Sequence, residues 1–173
     1  DPTLIHEIGK VAAAYLKQVI KDNDILAVAG GTTIKAVVDS LPKTSGYEGI
    51  MVVPYRGAMG TKVETQANTL AAVLADKLNG SYRMLHIPDN ASQEVMDSLI
   101  KEKSIKETVD MIHNANVLIC GIGNAEHMAR KRGLSEEEIL ELKALGAVGE
   151  AFGCYYNAKG EAVYFTPALG IRL

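Results

Sequence analysis

A short apolar run that ends in two glycines and two threonines is the feature that most constrains the fold of this chain. The run 25–29 has the length and composition of a buried parallel strand. Gly30 and Gly31 permit a tight turn and a close approach of the backbone to a ligand. Thr32 and Thr33 then begin a helix, where free N–H groups and the helix dipole favour an anion. The stretch predicts either a phosphate site or a strand-to-helix turn with an ordinary threonine cap.

Strand-like and helix-like segments alternate along most of the chain. Short apolar runs predict three further strands, at 50–54, 83–88 and 116–121. Residues 154–157 and 161–165 predict a hairpin, and residues 168–173 predict a last short strand. The pattern therefore predicts an α/β fold, a Rossmann-like parallel sheet with helices on both faces, plus a C-terminal β-hairpin.

Capping residues indicate two helix boundaries. Ser135 and Glu138 have the spacing of a capping box, which predicts that a helix begins just after Ser135. The helix predicted over 62–79 is expected to end at Gly80, because glycine readily takes the left-handed conformation that terminates helices.

The composition limits the classes of protein to which the chain can belong. With 173 residues it is long enough to form one domain, 1–173, with a sizeable core. The net charge of −3 gives no general basic surface for nucleic acid, and no apolar run is long enough to span a membrane. Cys120 and Cys154 lack metal-ligand spacing and are interpreted as small buried side chains of a reducing compartment, so a cytoplasmic location is expected.

A glycine-rich loop follows the predicted strand 50–54 at its carboxyl end, where ligands bind in open α/β sheets. Arg56 and Gly57 lie in this loop, and the arginine is either a planar contact for phosphate or a solvated loop residue. Gln66, near the start of the next predicted helix, either reaches a ligand over the sheet edge or is an ordinary surface residue. Asn68 is expected to hold the adjacent loop.

Gly121 and Gly123 follow the predicted strand 116–121 and begin like a dinucleotide fingerprint. Glu126 occupies the third glycine position, which argues strongly against NAD. The same junction still offers a second helix N-terminus to an anion. A basic cluster follows on the helix behind it, and at least one member is expected to point into the crevice: His127, Arg130, Lys131 and Arg132.

The segment 146–153 is small, apolar and glycine-rich, is interpreted as flexible, and carries one acid, Glu150. This carboxylate accepts from ligand hydroxyl groups, acts as a general base, or forms a salt bridge with Arg56 or Lys131. No Ser/His/Asp arrangement, metal cluster or Walker A loop is recognisable. We therefore expect no catalytic and no metal-binding residues, and a crevice that binds a small anion, which two helix N-termini suit to a doubly phosphorylated one.

Five motifs in sequence order resemble the effector-binding domain of SorC-type sugar-responsive transcriptional regulators. They are AGGTT at 29–33, VPYRG at 53–57, QANT at 66–69, GIG at 121–123 and EAFG at 150–153, and together they extend over nearly the whole chain. In that family the domain is similar in fold to sugar-phosphate isomerases and aminosugar-phosphate deaminases. It senses a phosphorylated sugar and transmits its presence to an N-terminal helix-turn-helix domain.

The resemblance implies the members of an effector site. Thr32, Thr33 and Arg56 match phosphate contacts, and Gln66 and Glu150 match polar contacts to the ligand. The second basic contact falls at Lys131, where the family has an arginine; lysine keeps the charge but loses the bidentate fork, which weakens the expectation of a second phosphate site. The glycines that complete the predicted site are Gly30, Gly31, Gly57, Gly121 and Gly123.

The resemblance also implies a function for the chain. It is expected to be a sensor, with no cofactor and no enzymatic activity, whose effector is a sugar phosphate, fructose 1,6-bisphosphate being the best guess. It is expected to form homodimers or homotetramers and to reach operator DNA only through an N-terminal helix-turn-helix domain absent from this chain. The alternatives are a sugar-phosphate isomerase or deaminase with Glu150 as the base, and an assembly module whose crevice is vestigial.

Overall fold

The computed structural model describes residues 1–59, 62–89 and 91–166. The helices are α1 (Pro2–Val19), α2 (Thr32–Ser40), α3 (Ala67–Lys77), α4 (Gln93–Leu99), α5 (Lys103–His113), α6 (Ala125–Lys131) and α7 (Glu136–Ala144), with a 3-10 turn at Val63–Thr65. The strands are β1 (Ile25–Val28), β2 (Met51–Pro54), β3 (Ser81–Tyr82), β4 (Val117–Ile119), β5 (Gly123–Asn124), β6 (Ala147–Ala151), β7 (Cys154–Asn157) and β8 (Ala162–Phe165). Among these helices, none is long and apolar enough to cross a membrane.

A four-stranded parallel sheet in the order β3-β2-β1-β4 forms the first layer of the fold. Strand β1 lies at its centre, where Leu26 pairs with Val52 on one side and with Val117 on the other. Leu26 is fully buried against α1, α2 and α3 on one face of the sheet, and its neighbour Ala27 is fully buried against α5 on the other. The prediction of a parallel sheet with helices on both faces is confirmed, and a continuous apolar run is what such a doubly covered strand requires.

A second, antiparallel sheet in the order β5-β6-β7-β8 lies beyond the first. The predicted hairpin is its β7–β8 pair. The interpretation of 146–153 as flexible is wrong, because β6 pairs with β5 on one side and with β7 on the other. Alanine and glycine favour strands weakly, so only the tertiary pairing makes this segment a strand. The strand predicted at 168–173 lies outside the described residues.

The prediction of a strand over 83–88 is wrong, because the third parallel strand, β3, ends before it at Tyr82. Strand β3 pairs with β2 at Ser81 and Tyr82, the N–H of Arg83 donates to the Val52 carbonyl at 3.0 Å, and the chain then leaves the sheet. The side chain of Asn68 forms two hydrogen bonds with the backbone of this segment. Leu85 N–H donates to Asn68 Oδ1 at 2.9 Å, and Asn68 Nδ2 donates to the Leu85 carbonyl at 3.1 Å. A side-chain amide thus satisfies backbone groups that a strand neighbour would otherwise satisfy. The expectation that Asn68 holds the adjacent loop is confirmed.

One of the two helix boundaries was predicted correctly. Ser135 and Glu138 form the capping box at the start of α7. At the end of α3 the left-handed residue is Asn79, with φ 54°, and Gly80 is one position further on, where its N–H donates to the Ala75 carbonyl at 2.8 Å. Gly80 is required for space instead, since a Cβ there would lie 2.7 Å from the carbonyl oxygen of Ile50.

Candidate functional site

A cavity of about 710 Å³ lies between the carboxyl ends of β1, β2 and β4 and the residues of β5, β6 and α6. Its volume falls in the range of small-molecule binding sites. All of the residues predicted from the sequence to bind the effector line it: Gly30, Gly31, Thr32, Thr33, Arg56, Gly57, Gln66, Gly121, Gly123, Lys131 and Glu150. The structure therefore brings the predicted set together, and ligand binding by each residue stays a prediction.

The N-terminus of α2 opens on this cavity without a side-chain cap. Its N-cap residue is Gly31, with φ 122°, and the N–H groups and hydroxyls of Thr32 and Thr33 donate to no described residue. The interpretation of the threonines as ordinary caps is therefore wrong. Gly30 is needed because a Cβ there would lie 2.7 Å from the carbonyl oxygen of Thr65, to which the N–H of Gly31 donates at 2.9 Å.

Four buried charges form a row along one wall of the cavity. Arg56 Nε donates to Asp89 Oδ1 at 2.7 Å, and Arg132 Nη1 donates to Asp89 Oδ2 at 2.5 Å. Arg132 Nη2 then donates to Glu150 Oε1 at 2.8 Å. Each of the four side chains is at most 7% exposed. We call Arg56, Asp89, Arg132 and Glu150 the buried quartet; its two cations and two anions balance each other, as buried charges must.

Arg56 is not the solvated loop residue that the sequence left open, since its side chain is 6% exposed. Its Nη1 donates to the Phe152 carbonyl at 3.3 Å and to Thr166 Oγ1 at 3.2 Å. A Cβ on Gly153 would lie 1.4 Å from the same nitrogen, so only glycine fits there. Arg56 thus fastens the turn between β6 and β7 to the end of β2, while its role as a phosphate contact stays a prediction.

Glu150 has a salt-bridge partner, but the partner is Arg132 and not Arg56 or Lys131. Its Oε1 also accepts from the N–H of Gly153 at 2.6 Å. Burial acts to lower the pKa of Arg132, but the charges of Asp89 and Glu150 outweigh burial and hold this pKa above its ordinary value. Arg132 is therefore a permanent cation that orients two carboxylates at the cavity wall.

Two loops at the mouth of the cavity are also held by specific contacts. Gln66 Nε2 donates to the Met59 carbonyl at 3.0 Å, which ties the loop after β2 to the start of α3. A Cβ on Gly57 would lie 2.6 Å from the Ile87 carbonyl oxygen, so glycine allows this loop to approach the segment after β3.

The basic cluster on α6 divides between the cavity and the surface. His127, Lys131 and Arg132 line the cavity, whereas Arg130 pairs with Glu126 and Glu136 outside it. The expectation that at least one member points into the crevice is confirmed. Lys131 is exposed and forms no ion pair with any described residue, which distinguishes it from its neighbours on both sides.

At the second helix N-terminus, where we expected an anion, one backbone N–H group already has an acceptor within the chain. Asn124 is the N-cap of α6, and its Oδ1 accepts from the N–H of His127 at 3.0 Å. Gly123 and Asn124 form β5, which pairs with Gly149 and Glu150 of β6. The segment after β4 is therefore a short antiparallel strand that precedes a self-capped helix.

Comparison with known proteins places the chain in a family. Its residues 1–173 match the family described as "Putative sugar-binding domain". A SorC family transcriptional regulator from Enterococcus faecalis, of known structure, is 35% identical, with a TM-score of 0.88 over 100% of this chain and 71% of its own. This chain is a sugar-binding domain of the SorC family.

Two curated relatives of this SorC-family domain carry the name "Central glycolytic genes regulator". The protein from Bacillus subtilis is 40% identical over the whole chain, and that from Priestia megaterium is 37% identical. The chain spans about half the length of these relatives, 51% of each. The resemblance inferred from the five motifs is thereby confirmed at the level of the family.

Several residues of this SorC-family site were not predicted from the sequence. Asp89, Lys62 and Cys120 line the cavity in addition to the predicted set. Asp89 follows Pro88 at the end of an apolar run, and an acid at that position was the signal that could have indicated it. Burial, and next the charge of Glu150, raise the pKa of the Cys120 thiol to about 11. Among the described residues, no group of three or more His, Cys, Asp or Glu side chains could hold a metal ion.

Proposed function

We propose that this domain is the effector-binding part of a bacterial transcriptional repressor and that it binds a phosphorylated sugar, with fructose 1,6-bisphosphate as the best candidate. The observation that carries the proposal is the uncapped N-terminus of α2, which opens on a cavity large enough for a sugar phosphate. Helix N-termini of this kind favour phosphate because both the free N–H groups and the dipole act in the same direction. The glycolytic name of the relatives supports the choice of sugar.

In this proposal one phosphate lies on the first turn of α2 and accepts from the N–H groups and hydroxyls of Thr32 and Thr33. Lys131, free of any ion pair among the described residues, binds the second phosphate as a point charge. Glu150 accepts from sugar hydroxyl groups, since Arg132 and Gly153 hold only its Oε1. Arg56 lines the same cavity and offers a planar donor group, although Asp89 already accepts from its Nε.

We further propose that the domain senses its ligand without converting it and needs no cofactor. Arg132 and the N–H of Gly153 both donate to Glu150, and this favours a fixed hydrogen-bond acceptor over a proton-transfer base. Incubation of the domain with fructose 6-phosphate in deuterated water tests this point. Uptake of deuterium at a sugar carbon would support the rival view, an isomerase or deaminase.

The regulatory part of the proposal concerns the full-length protein. Ligand binding biases assembly into homodimers or homotetramers in the cytoplasm, and operator DNA is bound through a helix-turn-helix domain outside this chain. An apolar stripe on α1 supports an assembly surface, since Leu4, Ile8, Val11 and Tyr15 are all exposed. Sedimentation velocity with and without fructose 1,6-bisphosphate measures the effect of the ligand on assembly.

The first experiment is a thermal-shift panel on the purified domain. It compares fructose 1,6-bisphosphate, fructose 6-phosphate, glucose 6-phosphate, dihydroxyacetone phosphate and inorganic phosphate. A ligand at a hundred times its Kd stabilises the folded state by about 2.7 kcal/mol, which raises the Tm by several degrees. The proposal expects the largest shift with the bisphosphate. A larger Tm shift with a monophosphate would contradict the proposed second phosphate site. The domain would then be a SorC-type sensor of another sugar.

Two variants test whether the ligand that raises the Tm binds in this cavity. Thr33→Val keeps the shape of the side chain but removes the hydroxyl, and Lys131→Met removes the free charge. Each is expected to weaken the affinity of the domain for fructose 1,6-bisphosphate by about tenfold or more, because hydrogen bonds to charged groups are strong. Lys103→Met is the matched control, since Lys103 is 92% exposed on α5 and does not line the cavity. Equal affinity in Lys131→Met and Lys103→Met would contradict the assignment of Lys131.

A further inference from the structure

His127 and Lys131 lie on one side of α6, four residues apart, and both line the cavity. Residues with this spacing are neighbours on a helix, with Cβ atoms about 5–6 Å apart. Both residues are exposed, so each side chain can reach an anion that enters the cavity. A single phosphate group can therefore contact the side chains of both His127 and Lys131.

The acidic groups near His127 are already bound to other partners. Asp89 accepts from Arg56 and Arg132, and Glu150 accepts from Arg132 and the N–H of Gly153. On α6 itself, Glu126 pairs with Arg130 and with Lys143 of α7. The side chain of His127 has no hydrogen bond or ion pair with any described residue. Within the described part of the chain, no carboxylate forms an ion pair with the imidazole.

The remaining charged or titratable groups that line the cavity are the cation Lys62, the Cys120 thiol and the Tyr55 hydroxyl. A bound phosphate favours the charged form of a histidine that contacts it. Protonation and anion binding are then linked, so that each strengthens the other. Histidine is the side chain that changes charge within the physiological pH range.

We propose that His127 is a proton-dependent contact for the anionic group that Lys131 binds, so that this domain binds a phosphorylated sugar more tightly when the imidazole is protonated. The proposal rests on the proposed function, because it needs a phosphorylated ligand in the cavity. It assigns to the site a sensitivity to pH as well as to the sugar. It also adds to the second phosphate site a donor that Lys131, without the bidentate fork of arginine, does not supply alone.

The ligand itself has an opposing pH dependence that the experiment must remove. A phosphate monoester loses its second negative charge as the pH falls through about 6, which weakens its binding to any cation. The Kd of fructose 1,6-bisphosphate is therefore measured by calorimetry between pH 5.5 and 8.5 for the parent domain and for His127→Gln. The ratio of the two Kd values at each pH cancels the titration of the ligand.

The proposal expects that His127→Gln binds as tightly as the parent at pH 8.5 and about fivefold more weakly at pH 5.5, the effect of one partly exposed ion pair. His127→Lys carries a permanent charge and is expected to bind more tightly than the parent at pH 8.5. The matched control is His113→Gln, because His113 is exposed at the end of α5 and does not line the cavity.

A ratio for His127→Gln that stays constant with pH would overturn the role of His127 and leave the proposed function intact. A parent domain that binds none of the sugar phosphates at any pH would overturn both. The same pH-dependent loss in His113→Gln would assign the effect to the overall charge of the domain and also overturn the proposal. Far-ultraviolet circular dichroism of each variant, with a Tm equal to that of the parent, verifies that the substitutions leave the fold unchanged.

Discussion

At the scale of single residues, Asp89 holds the wall of the cavity together. Its carboxylate accepts from Arg56 and from Arg132, two guanidinium groups that come from different parts of the chain. Both arginines are nearly inaccessible to water, so neither can replace the lost carboxylate by hydration. Without Asp89 the quartet would hold two buried cations and one anion, and an uncompensated buried charge is strongly destabilising.

Asp89→Ala is therefore expected to lower the free energy of unfolding by about 3–5 kcal/mol, the usual cost of removing one partner from a buried ion pair. Urea unfolding followed by circular dichroism measures it. The matched control is Asp76→Ala, because Asp76 and its partner Lys43 are 67% and 71% exposed. Asp76→Ala is expected to lower the free energy of unfolding by less than about 1 kcal/mol. Similar losses in the two variants would show that the quartet contributes no more than a surface pair.

Cys120 gives a second prediction at this scale. Because burial and Glu150 raise its pKa to about 11, its thiolate is scarce at neutral pH. Its alkylation by iodoacetamide at pH 8 is expected to be slower than that of an ordinary thiol, on the order of a hundredfold, and to accelerate as the pH rises toward 11.

A bound sugar phosphate is expected to slow the alkylation of Cys120 further, since this residue lines the cavity. Mass spectrometry of the separated peptides distinguishes Cys120 from the buried Cys154. Rapid alkylation of Cys120 at pH 7 would contradict the raised pKa, and unchanged alkylation in the presence of a ligand that raises the Tm would place that ligand elsewhere.

At the scale of the elements, the helices differ in how their N-termini are satisfied. Side chains cap α1, α4, α6 and α7, whereas α2, α3 and α5 have no such cap. Thr32 and Thr33, at the uncapped end of α2, line the cavity. A cap stabilises a helix end through hydrogen bonds to otherwise free N–H groups. The uncapped end of α2 therefore retains free N–H donors beside the cavity, where a ligand can accept from them.

The capping box of α7 is expected to contribute measurably to stability. Ser135→Ala should lower the free energy of unfolding by about 1 kcal/mol, because Ser135 Oγ accepts from the N–H of Glu138. Ser104→Ala is the control, an exposed serine in the first turn of α5 that is not an N-cap. Its effect is expected to stay within about 0.5 kcal/mol. Thermal and urea unfolding would refute the role of the cap if both variants behaved alike.

At the scale of the whole molecule, the cavity lies where the two sheets meet. The parallel sheet supplies the ends of β1, β2 and β4, and the antiparallel sheet supplies β5 and β6 with α6 beside them. The quartet crosses the same boundary, because Arg56 follows β2 while Glu150 belongs to β6. A ligand that contacts both α2 and α6 therefore restrains the two sheets together.

Hydrogen exchange tests this coupling between the sheets. Fructose 1,6-bisphosphate is expected to slow amide exchange in two separate segments, 30–35 and 121–128, because residues of both segments line the cavity in which we propose that it binds. Helix α4 is the internal control, since it does not line the cavity. Mass spectrometry of peptic fragments resolves these segments. Protection confined to one of the two would show that the ligand touches only one sheet.

Local features of the sequence determined much of the fold. The apolar runs predicted β1, β2 and β4, and the Ser135–Glu138 spacing predicted the start of α7. These features depend on hydrogen bonds within one helical turn or on the burial of one short run, which a sequence displays directly. The sequence also indicated the cavity, because the carboxyl ends of parallel strands share one edge of the sheet. The glycines and polar residues that follow these strands consequently line one space.

Only the tertiary structure decided which charges are free and which are paired. Lys131 and Arg132 are adjacent cations in the sequence, yet one is unpaired among the described residues and the other holds Asp89 and Glu150. Successive residues on a helix point about 100° apart, so a neighbour in sequence faces a different environment. Strand β6 likewise exists because β5 and β7 flank it, although its own residues favour strands weakly. Ion pairs and strand pairs join segments that are distant in the chain, and their partners become defined only when the layers pack.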